Sequence, residues 1–373
     1  RSTRVRSSAA SDVYKRQGGD TLMIEQDLNY VISVLKEEQS AYVPEWYSVL
    51  GFLYCHRIAG LFYKRAQNAG VRLPKKIEKI LKETYAKQKR KVIFMRRYLS
   101  CLTEALSKAK VRYMLLKGSV LSNLGENDTN IYGDGERASN DIDILVQPHG
   151  ITAVSKALSE LGFVQGAYDE ETGEIKEFSR MEIVRRRMNR GEVAPFVKTT
   201  SNKEFPFIEI DINFSLGNTP SAGTALLNEM IEHTIERRGK VLMCVPDEEL
   251  FFLHLIMHQY KESCLLFMVE RNKDLDLYKL ADIYYLYKAD VLDRERLDRL
   301  VEKHSLNQEI GTVLKQVGEA FADKEMLEAA KKFNAEEPLV IDYENKKLYC
   351  WRGNIMQRLC SMNEKQYLKE VKQ

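Results

Sequence analysis

Features typical of disulfide-linked, zinc-binding and membrane-spanning proteins are missing from this sequence. Its six cysteines include no Cys-x-x-Cys pair, and a chain of 373 residues does not need disulfides to be stable. We therefore expect free thiols in a reducing compartment, the cytoplasm. No stretch reaches the roughly 18 uninterrupted apolar residues of a membrane span. Even the most apolar run, at 251–268, contains Lys261 and Glu262, so no membrane partner is expected.

The sequence also lacks an excess of charge of either sign. Its 57 Lys and Arg residues nearly balance its 54 Asp and Glu residues, which leaves a formal net charge of +3. Proteins that bind long nucleic acids usually carry a basic surface, so such a partner is not expected. Hydrophobic residues make up 44% of the sequence, which is enough for a sizeable core.

Changes of composition along the chain suggest an order of regions. The first 17 residues are rich in Arg and Ser and have no apolar segment of a secretory signal. We expect a non-native or disordered leader there, with Met23 as the true start. Apolar residues at three- and four-residue spacing predict helices on both sides of a central region. The predicted regions are 1–22 (leader), 23–110 (helical), 111–218 (core), 219–335 (helical) and 336–373 (mixed tail with a short hairpin).

The central region is predicted to contain both strands and helices. Short apolar runs indicate strands, amphipathic stretches indicate helices, and the polar segment 164–205 indicates hairpins or a lid. Its basic stretch RRRMNR at 185–190 either steers an anionic ligand or is a solvated loop. From about Thr224 the pattern is helical again. The predicted core elements are a strand at 111–116, a helix from Lys117, a polar loop, a strand at 141–146, a helix at 151–163 and a strand at 207–216.

Two aspartates one residue apart stand at the start of the predicted strand in RASNDIDILV. On a strand, residues two apart point to the same side, so Asp141 and Asp143 present their carboxylates together. Like charges this close repel, and a divalent cation removes the conflict. Mg²⁺ prefers hard oxygen ligands and is often shared with substrate phosphates. The pattern therefore indicates a metal–nucleotide site.

Two further features fit such a site. Gly118 and Ser119 lie between a strand and a helix, where a close backbone approach and free N–H groups suit phosphate. The preceding Lys117 either points at that ligand or away from it. In FIEIDINF, Asp211 can supply a third carboxylate as metal ligand or general base, and Glu209 on the same face is the competing candidate.

The segments LLKGSVLSNL, RASNDIDILV and IEIDINFSL together resemble the polymerase-β-like nucleotidyltransferases. More narrowly, they resemble an uncharacterised nucleotidyltransferase family often found in bacteria, over roughly Val111 to Leu216. The resemblance implies a mixed α+β fold, with a nucleotidyltransferase core of sheet and helices between helical N- and C-terminal regions. Asn213 and Phe214 depart from it, because many members have His and Trp there.

The resemblance also implies a role for each motif residue. Asp141, Asp143 and Asp211 would be catalytic and would hold Mg²⁺, with two ions expected and Mn²⁺ as a substitute. The nucleotide-binding residues would be Gly118, Ser119, Arg137 and Lys117, with Arg137 pairing with phosphate oxygens.

These features predict an enzyme that moves a nucleoside monophosphate from an NTP, with ATP favoured, to a hydroxyl-bearing acceptor. A small-molecule acceptor is favoured. Two alternatives remain open, a protein nucleotidylyltransferase and a catalytically inactive nucleotide-binding scaffold. The sequence identifies neither the acceptor nor the base of the nucleotide.

Overall fold

The computed structural model describes residues 23–124, 131–137, 139–217 and 223–371. Within these residues helices and strands form a mixed α+β fold, which confirms the predicted fold class. The predicted leader at residues 1–22 lies outside the described residues.

The N-terminal part of the chain is helical because its apolar residues recur every three or four positions. In the first helix, Leu28, Val31, Ile32 and Leu35 form one buried stripe. The helices here are α1 (Glu25–Leu35), α2 (Trp46–Cys55), α3 (Ala59–Asn68) and the long α4 (Lys75–Lys108).

A six-stranded mixed sheet follows and contains every strand predicted for the core. Its strands are β1 (Tyr113–Leu116), β2 (Ile142–Val146), β3 (Val164–Tyr168), β4 (Ile175–Glu177), β5 (Phe196–Thr199) and β6 (Phe207–Asn213). The strand order is β1-β2-β6-β5-β3-β4. Among the described strands of this sheet, only the neighbours β2 and β6, the second and third in this order, run parallel. β2 is buried along its whole length, which explains its continuous apolar run.

Three helices connect these strands. α5 (Lys117–Leu121) follows β1, α6 (Ile151–Glu160) follows β2, and α7 (Arg180–Arg190) lies between β4 and β5. The hairpin of β3 and β4 agrees with the prediction for 164–205, but α7 differs from it. The basic stretch at 185–190 is helical because Ser179 and Glu182 form a capping box that starts the helix.

The C-terminal part is helical with two additions. A hairpin of β7 (Thr234–Arg238) and β8 (Leu242–Pro246) lies where helix was expected, and a three-stranded antiparallel sheet contains the hairpin predicted for the tail. The helices are α8 (Thr224–Glu232), α9 (Glu248–Ser263), α10 (Leu266–Val269), α11 (Leu277–Lys288), α12 (Arg294–His304), α13 (Asn307–Ala320), α14 (Lys324–Lys331) and α15 (Ile355–Leu359). The tail strands are β9 (Val340–Asp342), β10 (Lys347–Trp351) and β11 (Leu368–Glu370).

The chain divides into two compact units, each discontinuous in sequence. One contains the described residues of Arg1–Lys87, Gln259–Tyr284 and Asn307–Gln373, and the other contains Gln88–His258 and Tyr285–Leu306. The six-stranded sheet lies entirely within the second unit. The five regions expected from the sequence remain a prediction of domain organisation. No helix in the described part of the chain is long and apolar enough to cross a bilayer.

Candidate active site

The centre of the six-stranded sheet brings two of the predicted aspartates together. In the parallel pair of β2 and β6, Asp143 is the direct register partner of Asp211. Neighbouring strands lie about 4.8 Å apart, and paired residues point to the same face. The Asn213 side chain, two residues after Asp211 and on its face, donates a 3.5 Å hydrogen bond to Asp143 Oδ1. Two carboxylates therefore converge on one side of the sheet.

Asp141 precedes β2 by one residue and is held by a local hydrogen bond. Its Oδ1 accepts a 2.9 Å hydrogen bond from the Ser139 hydroxyl. Asp141 is half-buried while Asp143 is only 5% exposed. The charge of Asp141 is near enough to Asp143 to influence its ionisation. The structure thus places all three predicted aspartates in the same region of the sheet.

Lys117 forms an ion pair with the buried aspartate. Its Nζ lies 2.9 Å from Asp143 Oδ1. The residue has a φ of 52°, a left-handed conformation that is uncommon outside glycine. This conformation lies where β1 turns into α5, and β1 pairs with β2 through Leu116 and Asp143. The backbone conformation of Lys117 thus goes with a side chain that reaches β2, the strand that carries Asp143.

Opposing influences act on the ionisation of Asp143. Burial raises the pKa of its carboxyl group above the ordinary value, and the carboxylates of Asp141 and Glu192 raise that pKa further. Lys117 opposes the rise through its charge and its hydrogen bond. Crowded carboxylates beside a cation are typical of sites that bind or transfer charged groups.

Gly118, the second residue of α5, lies close to the segment before β2. A Cβ atom at Gly118 would lie 2.9 Å from Ser139 Cβ and 3.4 Å from an Nη of Arg137. Only glycine fits there without displacing Ser139, the residue that holds Asp141. The Arg137 guanidinium therefore lies beside Gly118, and its contact with phosphate stays a prediction.

Ser119 follows Gly118 in α5 and is one of the residues that line a small pocket. The hydroxyl is buried and has no hydrogen-bond partner among the described residues. The pocket has a volume of about 20 Å³, room for about one water molecule. Its lining includes Ser139, Asn123 and apolar side chains of α4. α5 has only five residues, too few for the helix by itself to form a phosphate site at its N-terminus. The predicted phosphate contact of Ser119 therefore remains a prediction.

Glu192 is a further carboxylate of this site that sequence reasoning missed. It forms an isolated antiparallel bridge with Asn213 of β6, and its charge acts on Asp143. Glu209 lies on the same face of β6 as Asp211, but in the register it is the partner of Val197 in β5. The register thus favours Asp211 over Glu209 as the residue opposite Asp143.

The oxygen-rich donor set suits a hard divalent cation such as Mg²⁺. Lys117 contacts Asp143 in this arrangement, and the described residues contain no group of three or more His, Cys, Asp or Glu side chains positioned to hold a metal ion. The suitability of this site for Mg²⁺ depends on its oxygen ligands and on the strand register. The register places Asp143 and Asp211 on one face, with Asp141 beside them. The metal ligands and the nucleotide-binding residues stay predictions.

A comparison with known protein families identifies the family of this chain. The family model described as "Uncharacterised nucleotidyltransferase" matches residues 43–322. The chain belongs to this family. The match covers the whole six-stranded sheet and thus all the residues of the candidate site, and the described fold is consistent with a nucleotidyltransferase. No curated protein and no solved structure matches the chain significantly.

Proposed function

We propose that this nucleotidyltransferase is an active, Mg²⁺-dependent enzyme that transfers a nucleoside monophosphate from an NTP to the hydroxyl group of a small molecule. The observation that carries the proposal is the register pairing of Asp143 with Asp211 on adjacent parallel strands, with Asp141 and Lys117 next to Asp143. Side chains fixed on strands hold their geometry better than side chains on loops.

Each aspartate has a separate task in the proposed reaction. Asp141 and Asp143 hold Mg²⁺, with Mn²⁺ as a substitute, and two ions are expected. When bound, these ions neutralise charge on the phosphate oxygens and favour in-line displacement. Asp211 orients the acceptor hydroxyl and accepts its proton. Ser139 keeps Asp141 in place through its hydroxyl group.

The reaction forms one bond and breaks one bond. The acceptor oxygen attacks the α-phosphorus of the NTP while its proton passes to the Asp211 carboxylate. The bond between the α-phosphorus and the oxygen that bridges it to the β-phosphorus breaks, and pyrophosphate leaves with that electron pair. Rate enhancement comes mainly from positioning and charge stabilisation.

The residues around the Gly118 turn supply the contacts to the triphosphate. The absence of a side chain at Gly118 lets the phosphates approach the backbone, and Arg137 lies beside it with a guanidinium group suited to phosphate oxygens. Ser119 and Lys117 complete the proposed set. ATP is the favoured donor. The nearly balanced charge of the chain favours a small acceptor over a long nucleic acid.

A labelling experiment tests this function. Each of the four α-³²P-labelled NTPs is incubated with Mg²⁺, a bacterial cell extract and the wild-type protein, Asp143→Asn or Glu160→Gln. Glu160 is a matched control because its side chain is 69% exposed in a surface ion pair. We expect labelled small molecules that require Mg²⁺, disappear with Asp143→Asn and persist with Glu160→Gln.

The same experiment separates the alternatives. Label on a protein band would replace the small-molecule acceptor with a protein acceptor. Absence of label with every NTP, although the folded protein binds ATP, would identify an inactive nucleotide-binding scaffold and overturn the proposed reaction.

A further inference from the structure

Lys117 combines three features that differ from an ordinary surface lysine. It has a left-handed backbone conformation, its side chain is only 21% exposed, and its ammonium group contacts a buried carboxylate. Non-glycine residues in this backbone region are uncommon, and they persist where the surrounding structure holds them. These features indicate that Lys117 does more than keep the protein surface soluble.

The charges around Asp143 supply that explanation. Asp143 lies among the carboxylates of Asp141, Glu192 and Asp211, and its own side chain is almost fully buried. Such a group of negative charges is unfavourable without a cation. Lys117 Nζ supplies a positive charge at Asp143 Oδ1, at a distance typical of a charge-assisted hydrogen bond.

We propose that Lys117 is a positioning residue that acts as a built-in cation for Asp143: its ammonium group holds this carboxylate in place before a divalent cation binds, and it competes with that cation for the same oxygen. The inference rests on the proposed metal-dependent function, because it assumes that Asp143 is a metal ligand. It adds a step to the expected role of Lys117, which acts on the Asp143 carboxylate before the metal and the nucleotide bind.

The proposal predicts opposite changes in metal binding and in stability, which a purely structural role of Lys117 would not produce. Replacing Lys117 by a neutral side chain removes a competitor, so binding of metal in the absence of nucleotide becomes tighter. The same replacement removes the ion pair of the buried Asp143 carboxylate with Lys117, so the metal-free protein becomes less stable. Ordinary structural damage would weaken both properties together.

The test measures metal binding and stability in four proteins without nucleotide. Wild type, Lys117→Met, Lys117→Arg and Asp143→Asn are titrated with Mn²⁺, and the free ion is followed by electron paramagnetic resonance. Met keeps the length of the side chain without its charge, and Arg keeps the charge. Thermal unfolding of each protein is recorded in EDTA and again with saturating Mg²⁺. Lys117→Gln replaces the Met variant if the latter does not fold.

We expect Lys117→Met to bind Mn²⁺ about tenfold more tightly than wild type, because one nearby positive charge is lost. Its midpoint of unfolding should fall in EDTA and rise on addition of Mg²⁺ by more than the wild-type midpoint does. Lys117→Arg should resemble wild type in both measurements, and Asp143→Asn should lose Mn²⁺ binding.

Two different results would overturn the inference and can be told apart. If Asp143→Asn loses Mn²⁺ binding while both neutral variants bind Mn²⁺ no more tightly than wild type, then Lys117 is not a competing cation and the proposed function survives. If wild type and both neutral variants bind no Mn²⁺ at all without nucleotide, the inference fails, and the Mg²⁺ requirement in the labelling experiment decides separately whether the metal-dependent function holds.

Discussion

Single residues of β6 differ in what lies opposite them. Asp211 faces Asp143 of β2 in the register, whereas Glu209 faces Val197 of β5 on its other side. Both side chains are half-buried on the same face of the strand. The two residues therefore differ in their position along the strand. Substituting each one in turn shows which carboxylate the reaction needs.

We predict that Asp211→Asn lowers the rate of nucleotidyl transfer about a hundredfold or more, a loss typical of a charged catalytic group. Glu209→Gln should lower that rate less, because its carboxylate lies two residues along β6 from the one opposite Asp143. Initial rates at saturating Mg²⁺-NTP measure both effects, and each neutral amide keeps the shape of its acid. A larger loss for Glu209→Gln than for Asp211→Asn would reverse the assignment of the third carboxylate.

Glu192 provides a second prediction at the scale of one residue. Its bridge to Asn213 and its effect on Asp143 place its negative charge near the proposed metal ligands. Glu192→Gln removes that charge and should weaken Mn²⁺ binding about three- to tenfold. Titration with Mn²⁺ measures the change, and Glu160→Gln serves as the control. Unchanged affinity would exclude Glu192 from the site.

Sequence reasoning found the aspartates but not Glu192, and the reason is physical. Asp141, Asp143 and Asp211 follow strand patterns, from which their direction can be predicted. Glu192 lies just after α7, in a segment that pairs with β6 only through an isolated bridge. No local pattern marks such a residue. The Lys117 ion pair was also out of reach, because it depends on an unusual backbone angle.

Among the elements, the turn between β1 and α5 has little room to change. A methyl group at Gly118 would meet Ser139 Cβ at 2.9 Å and its hydroxyl oxygen at 3.0 Å. We predict that Gly118→Ala lowers the free energy of unfolding by about 1–3 kcal/mol, the usual cost of overpacking. Denaturant unfolding measures it.

The double variant Gly118→Ala/Ser139→Gly is the matched control for that prediction. Removing the Ser139 side chain makes room for the methyl group, so part of the lost stability should return. Activity should not return, because Asp141 also loses its hydrogen bond from Ser139. A Gly118→Ala protein as stable as wild type would show that the turn has more room than the contacts indicate.

Helices and strands were predicted where one hydrophobic pattern was clear. They were missed where that pattern was weak or lay within a stretch of another kind. The strand at 207–216 alternates clearly, and β6 lies within it. α7 was missed because its hydrophobic residues are few, although Ser179 and Glu182 at capping-box spacing mark its start. The β7–β8 hairpin was hidden in a long helical stretch, although β-branched residues surround the turn at Gly239 and Lys240.

The larger organisation of the chain depends on buried charges as well as on apolar packing. In the unit that contains the C-terminal tail, the guanidinium group of Arg358 contacts Asp274 and Glu364, and all three side chains are at most 4% exposed. Arg358 also lies 3.4 Å above the Trp351 ring. The contact of Arg358 with Asp274 joins the tail to a segment 84 residues earlier, a connection that no sequence pattern predicts.

Glu364 makes the stability of this unit depend on pH. Burial raises the pKa of its carboxyl group, the nearby Asp274 carboxylate raises that pKa further, and Arg358 opposes the rise. The folded protein therefore holds this proton at pH values where the unfolded chain, with a pKa of about 4.3, has lost it. The resulting stabilisation is complete below the unfolded pKa and is lost as pH rises through the folded pKa.

We predict that Glu364→Gln removes this part of the pH dependence, because the amide imitates the protonated acid. As pH rises above about 4.5, the wild-type free energy of unfolding should include a decline of at most about 1.4 kcal/mol per pH unit that Glu364→Gln lacks. Guanidinium unfolding at several pH values measures both curves. Glu328→Gln, whose side chain is 70% exposed in the same unit, should keep the wild-type curve. Parallel curves for wild type and Glu364→Gln would mean that Glu364 is charged in the folded protein, as one half of a simple ion pair with Arg358.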